Sequence, residues 1–256
     1  MNLLQSMVIA FAMYSKIPMP GVEWNEKNMK YAMCFFPLVG AAEGIFVFLI
    51  GNLLIKSMFG TLFFAVVMTL LPILITGGIH MDGFLDTVDA LNSWGNQDKK
   101  LEILKDSNSG AFAVIGMGCY LLADLALWSE VSRECLPAVA LGYVLSRALS
   151  GYSVVTWRSA RDSGLAKAFH DAAHKRNAAR GMHIWIWGSI ICMLVYNLKI
   201  GTVSVVCAGL VFIGYKRLCE KQFGGVTGDL AGYFLQTCEL AMLAGIALTA
   251  RIPDIL

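Results

Sequence analysis

Long apolar runs separated by short polar stretches dominate this chain. They fall at 32–55, 61–79, 110–130, 135–156, 183–199, 200–215 and 230–250. A helix needs roughly 20 apolar residues to cross a bilayer, and most of these runs approach that length. The period-two alternation of β-strands is absent. In lipid the backbone must satisfy its own hydrogen bonds, so the pattern predicts an all-α, polytopic transmembrane bundle of about six to eight membrane helices. The adjoining runs at 183–215 meet near Asn197-Leu198-Lys199 and predict a hairpin. The apolar stretch Leu3 to Tyr14 is short for a span and lacks a basic leader and a cleavage site. It reads equally as a short span and as a re-entrant or interfacial helix. No internal repeat or low-complexity tract is visible, so residues 1–256 are expected to form one integral-membrane domain.

Composition agrees with a membrane chain. It is 57% apolar and 15% charged, with a mean hydropathy of +0.64, whereas soluble domains carry about a quarter charged residues. A net charge of +2 and the lack of any nucleic-acid motif exclude DNA or RNA as partners. The seven cysteines are scattered without a CxxC pair and read as small core residues. Charge position is more informative. Of the 20 Lys and Arg, 15 lie in segments 16–31, 94–109, 157–182 and 216–229. The connections on the other side hold Lys56, Arg133, Lys199 and Arg251, while Arg147 lies within an apolar run. The positive-inside rule makes the four richer segments cytoplasmic.

Those segments adjoin the chemistry-bearing motifs. Gly77-Gly78-Ile79-His80-Met81-Asp82-Gly83-Phe84-Leu85-Asp86-Thr87-Val88-Asp89 places aspartates at i, i+4 and i+7. On a helix the three lie within about 60° of arc. They repel each other unless a cation sits among them, and Mg²⁺ prefers oxygen ligands of this kind. Capping of a helix start is the plainer reading, but helix-start acids do not usually extend over seven residues of one face. Gly77, Gly78 and Gly83 permit close approach of a ligand or of another helix. His80 lies about 160° from Asp82 and is expected to be packed rather than ligating. His170 and His174 share a helical spacing but have no third zinc ligand nearby.

Two further motifs open helices from the same side. Gly224-Gly225-Val226-Thr227-Gly228-Asp229 offers backbone N–H groups to an anion. Asp229 is there either an N-cap or a fourth carboxylate for the metal. Lys105-Asp106-Ser107-Asn108-Ser109-Gly110 is either a capped helix start or a phosphate contact. The ionisable groups Glu43, Asp124 and Arg147 lie within apolar runs. Such groups face a cavity or one another, so Glu43 and Arg147 either point into the site or pair within the bundle. Segment 157–182, with Arg158, Arg161, Lys167 and further basic residues, is expected to be a cytoplasmic loop or amphipathic helix with room for a moving lid.

The Gly77–Asp89 stretch resembles the GG-x-H-x-DG-x-x-D-T-x-D signature of the cobalamin synthase family, the adenosylcobinamide-GDP ribazoletransferases. Other similarities follow in order: Ile17-Pro18-Met19-Pro20, Phe36-Pro37-Leu38-Val39-Gly40, Lys105-Asp106-Ser107 with Gly110, Ser146-Arg147, Ala160-Arg161 with Gly164, and Gly224-Gly225-x-Thr227-Gly228-Asp229. Ala90 stands where the family often has glycine, and Asn108 where a basic residue is common.

The resemblance implies a multi-pass enzyme of a prokaryotic inner or plasma membrane. It joins adenosylcobinamide-GDP to α-ribazole or its 5′-phosphate and releases GMP. On that reading Asp82, Asp86 and Asp89 are catalytic and, with Asp229, hold Mg²⁺. Asp89 is the expected proton acceptor. Lys105, Asp106, Ser107, Arg147, Arg161, Gly225 and Thr227 are expected to contact substrate. Self-association stays open. The alternatives are a CDP-alcohol-phosphotransferase-like enzyme of lipid synthesis, whose D-G-x-x-A-R start this chain lacks, and a membrane transporter.

Overall fold

The computed structural model describes residues 3–106 and 108–251. The described chain is helical throughout: α1 Leu3–Tyr14, α2 Glu26–Met29, α3 Phe36–Lys56, α4 Thr61–Thr76, α5 Ile79–Asn92, α6 Gln97–Ile103, α7 Ala111–Trp128, α8 Leu136–Thr156, α9 Leu165–Ala172, α10 Lys175–Tyr196, α11 Leu198–Leu218 and α12 Gly228–Arg251. One isolated bridge joins Ser159 to Val226, and no strand forms among the described residues.

Helices α3, α7, α8, α10, α11 and α12 are each long and apolar enough to cross a membrane. The protein is therefore a multi-pass membrane protein. An ion pair between Arg251 and Glu130 and a 2.7 Å hydrogen bond from Arg133 to Asn52 gather the outer ends of α3, α7, α8 and α12 on one face. α3 ends at that face and α7 starts from the other, so α4 must carry the chain back. The described helices thus offer six crossings, or up to seven if α4 with α5 is counted as one bent span. Asn197 caps α11 by accepting from the Ile200 N–H at 3.0 Å, which closes the expected hairpin.

α8 is the central helix, packed against α3, α10, α11 and α12. Glycines set its approach to α3. A Cβ at Gly44 would lie 2.5 Å from the Ala140 carbonyl, and one at Gly40 would collide with the Tyr143 carbonyl. This is the small-residue packing that lets two helices meet in lipid, where burial of apolar surface supplies little drive. The segment 157–182 is more ordered than expected of a loop. α10 begins at Lys175, and α9 packs Phe169 into the core, fully buried against the Tyr14 ring.

Candidate active site

The site begins where α4 stops. Gly77 and Gly78 adopt φ of +66° and +80°, a left-handed conformation that glycine holds without strain. They turn the chain by 97° between α4 and α5. α5 consequently runs across the face of the bundle instead of through it. The Lys16 N–H donates to the Ile75 carbonyl at 2.7 Å, and its side chain covers Gly77.

α5 then crosses α12 at two glycines. A Cβ on Gly83 would sit 2.7 Å from the Asp229 carbonyl oxygen, and one on Gly232 would sit 2.9 Å from that of His80. Only bare backbones fit so closely, and this contact carries Asp229 up to the aspartate stripe. Gly83→Ala is therefore expected to push the helices apart and cut activity about 100-fold, because small misplacements of reacting groups are costly. Turnover beside circular dichroism checks this; full activity with native helicity would refute it.

Thr227 caps α12, since the Leu230 N–H donates to its hydroxyl at 3.2 Å. Asp229 is thus released from the capping role open to it in the sequence. Its carboxylate accepts from Arg161 Nη1 at 3.1 Å, and Arg161 Nη2 donates to the Leu101 carbonyl at 3.2 Å. A backbone clamp holds this arrangement. Val226 N donates to the Arg158 carbonyl at 2.8 Å, and Ala160 N to that of Val226 at 3.0 Å. Gly225 permits the clamp, because a Cβ there would meet the Arg158 oxygen at 2.5 Å.

The cluster is strongly acidic. Burial and the charges of Asp82 and Asp229 push the Asp86 carboxyl up to about 6, against an opposing pull from Arg161 and a further push from Asp89. Arg161 pairs with Asp229, and the charges of Asp82, Asp89 and Asp229 all act on Asp86; carboxylate oxygens of this kind suit a hard divalent cation. Among the described residues, no group of three or more such side chains is placed to hold a metal ion. An Mg²⁺ ion does not require one, since it usually keeps water and phosphate oxygens beside one or two carboxylates.

A cavity of about 220 Å³ opens beside the cluster. Its polar end carries Asp82, Arg161, Lys167, Thr227 and Asp229; its other end is apolar and aromatic, with Tyr14, Met33 and Phe36. His80 is packed, as expected, against Tyr14 and Phe36, yet it also lines the cavity. Burial, reinforced by the charge of Arg147, holds its imidazole well below the usual range and so neutral. α9 lends Ala166 and Lys167 to the cavity wall. His170 Nδ1 donates to the Val154 carbonyl at 2.9 Å, and Lys175 donates to His170 Nε2 at 2.8 Å.

Other expected site residues stand elsewhere. Asp86, Asp89 and Gly225 do not line the cavity; the Asp89 carboxylate packs against Gly110 at the start of α7. Lys105 and Asp106 are exposed and also lie off the cavity. Asp106 accepts from the backbone and side chain of Asn108, both at 2.9 Å, which hold its carboxyl below the usual range. Ser107 lies outside the described residues. Arg147 is fully buried and absent from the cavity wall. It donates to Glu43 at 2.7 Å and pairs with Glu239 inside the bundle. Of the two arrangements open in the sequence, this is the intramembrane pair. Sequence reasoning passed over Glu239, although an acid within an apolar run is the signal that singled out Glu43.

The chain matches over residues 6–247 a family model described as cobalamin-5-phosphate synthase. It is 47% identical over 250 residues to an adenosylcobinamide-GDP ribazoletransferase of Lachnoclostridium phytofermentans, covering 96% of this chain and 94% of that protein. Proteins of the same name from Clostridium perfringens and Pseudomonas fluorescens are each 31% identical, over 93% and 94% of this chain and 96% and 98% of their own lengths. No solved structure matches.

Proposed function

This chain belongs to the cobalamin-5-phosphate synthase family, and from that premise we propose that it joins adenosylcobinamide-GDP to α-ribazole or its 5′-phosphate. The observation that carries the reading is the meeting of Asp82, Arg161, Thr227 and Asp229 around one cavity. A ribose hydroxyl attacks the phosphorus on the corrinoid side of the diphosphate. A new P–O bond forms, the P–O bond to GMP breaks, and GMP leaves with the bonding electrons. The hydroxyl proton passes to a carboxylate. Asp82, which is exposed and lines the cavity, is better placed to take it than Asp89.

Asp82 and Asp229, which line the cavity, are the residues that would hold Mg²⁺ with water and phosphate oxygens beside them, and the ion would supply charge neutralisation to the diphosphate. Arg161 serves the same charge. It already bridges Asp229 and the α6 backbone, and its Nε is buried without a partner. Lys167, half-buried in the cavity wall, is a second phosphate contact. The concentration of Lys and Arg on this face makes it the cytoplasmic one, where nucleotide-activated substrates occur.

The test is GMP release by the purified protein in nanodiscs. Release is expected only with both substrates and Mg²⁺, to stop with EDTA, and to resume when Mg²⁺ is restored. No release from the complete mixture would overturn the assignment. Preference for a CDP-activated donor would point to lipid synthesis, and uptake into vesicles without turnover to transport.

A further inference from the structure

The apolar end of the cavity holds two polar atoms that nothing in the protein satisfies. Ser150 on α8 is fully buried, and its hydroxyl has no hydrogen-bond partner. His80 on α5 is 3% exposed, and its Nε2 is equally unpartnered. Both residues line the cavity. An unpaired buried polar group costs about 1–3 kcal/mol, so two in one cavity point to a ligand that completes them.

Their surroundings limit that ligand. The Tyr14 and Phe36 rings lie 4.3 Å apart between centroids, and the His80 ring lies 6.0 Å from that of Tyr14. Met33, Val154 and Leu235 complete the apolar wall. The chamber accepts a flat, mostly apolar ring system with few polar atoms. Guanine carries polar atoms along most of its edge and would leave several unpaired there. A corrin macrocycle carries amide side chains around its whole rim, which an apolar wall of this kind would leave unpaired. A benzimidazole-type base fits both limits: an apolar bicycle with one ring nitrogen joined to ribose and the other free to accept a hydrogen bond.

We infer that this end of the cavity is the subsite for the acceptor's base, with Ser150 donating to the free ring nitrogen and His80 meeting the ribose edge. The inference rests on the reading of the chain as a ribazole-accepting transferase. It extends that reading by assigning base selectivity to α8 and α5. It also orients the acceptor, for His80 and Asp82 line the same cavity. With the base held in the aromatic end, the ribose extends toward the carboxylates. Ser150 and His80 are specificity and positioning residues, and the diphosphate chemistry stays with the acidic end.

The experiment compares KM for α-ribazole with that for its indole isostere, in which C–H replaces the free ring nitrogen. Donor and Mg²⁺ are held saturating, and KM for adenosylcobinamide-GDP is measured in parallel. The wild-type protein is expected to favour α-ribazole by about tenfold or more, the scale of one lost hydrogen bond in a site built to make it. Ser150→Ala, which removes one buried oxygen, is expected to bring the two acceptors level without changing KM for the donor. His80→Phe, which keeps the aromatic wall, is expected to raise KM for both acceptors alike. Calorimetric binding of α-ribazole without donor should follow the same order. Discrimination that survives Ser150→Ala, or a rise in donor KM instead, would overturn the subsite while leaving the transferase reading intact. No GMP from wild-type protein with the natural pair would overturn the transferase reading itself.

Discussion

Asp82→Asn is expected to abolish nearly all turnover, by about 1,000-fold, the scale on which positioned acid–base and electrostatic groups act. The substitution preserves shape and polarity and removes only charge. Asp82 is the stripe carboxylate that both lines the cavity and is exposed to an entering diphosphate. Its charge also helps push Asp86 up to about 6. Removing it relieves that repulsion, so thermal stability is expected to hold or rise while activity collapses. This opposition separates a catalytic defect from a folding one. GMP release and thermal unfolding in nanodiscs measure the two sides. Asp89→Asn is expected to cost less, because Asp89 faces Gly110 and not the cavity. A well-folded Asp82→Asn protein with near-normal turnover would remove the carboxylate from the mechanism.

Arg147→Met is expected to damage the fold itself. Its guanidinium lies between Glu43 and Glu239, with the three side chains 1%, 0% and 10% exposed. Ser146 completes the network by donating to Glu239 at 2.8 Å. Breaking a buried ion pair by removing one partner costs about 3–5 kcal/mol, because a charge is left alone where water cannot reach it. Here two carboxylates are left. Low yield and a melting temperature many degrees down are expected. Adding Glu43→Gln and Glu239→Gln to Arg147→Met should recover most of the loss, since neutral groups remove the unpaired charges. Thermal unfolding of the single and triple variants decides the matter. A single variant with native stability and a raised KM for the donor would make Arg147 a substrate contact after all.

The aspartate stripe was legible because helix periodicity is local: spacing of i, i+4 and i+7 places side chains together whatever lies around them. The apolar runs were legible for a similar reason, since the length needed to cross lipid is a property of one segment. Glycine roles were harder. Gly77, Gly78 and Gly83 read alike in the sequence. The first two proved to make a left-handed turn of the chain, and the third a helix crossing. Phe169 and His170 anchor α9, so of the loop and the amphipathic helix open in the sequence for this segment, a helix forms and lends Ala166 and Lys167 to the cavity wall.

Hydropathy, charge bias and spacing determined the helical membrane architecture and the acidic motif from the chain alone. Each is decided within a window of some twenty residues. Partner choice belonged to the tertiary structure. In the sequence Arg147 could read as a phosphate contact or an intramembrane pair and Arg161 as a phosphate contact; one binds Glu43, 104 residues away, and the other Asp229, 68 residues away. Those pairings follow from how closely backbones pass at Gly40, Gly44, Gly83 and Gly232. The energy of a charge depends on what surrounds it in space, and for these two arginines the surroundings come from distant segments that meet only when the bundle closes.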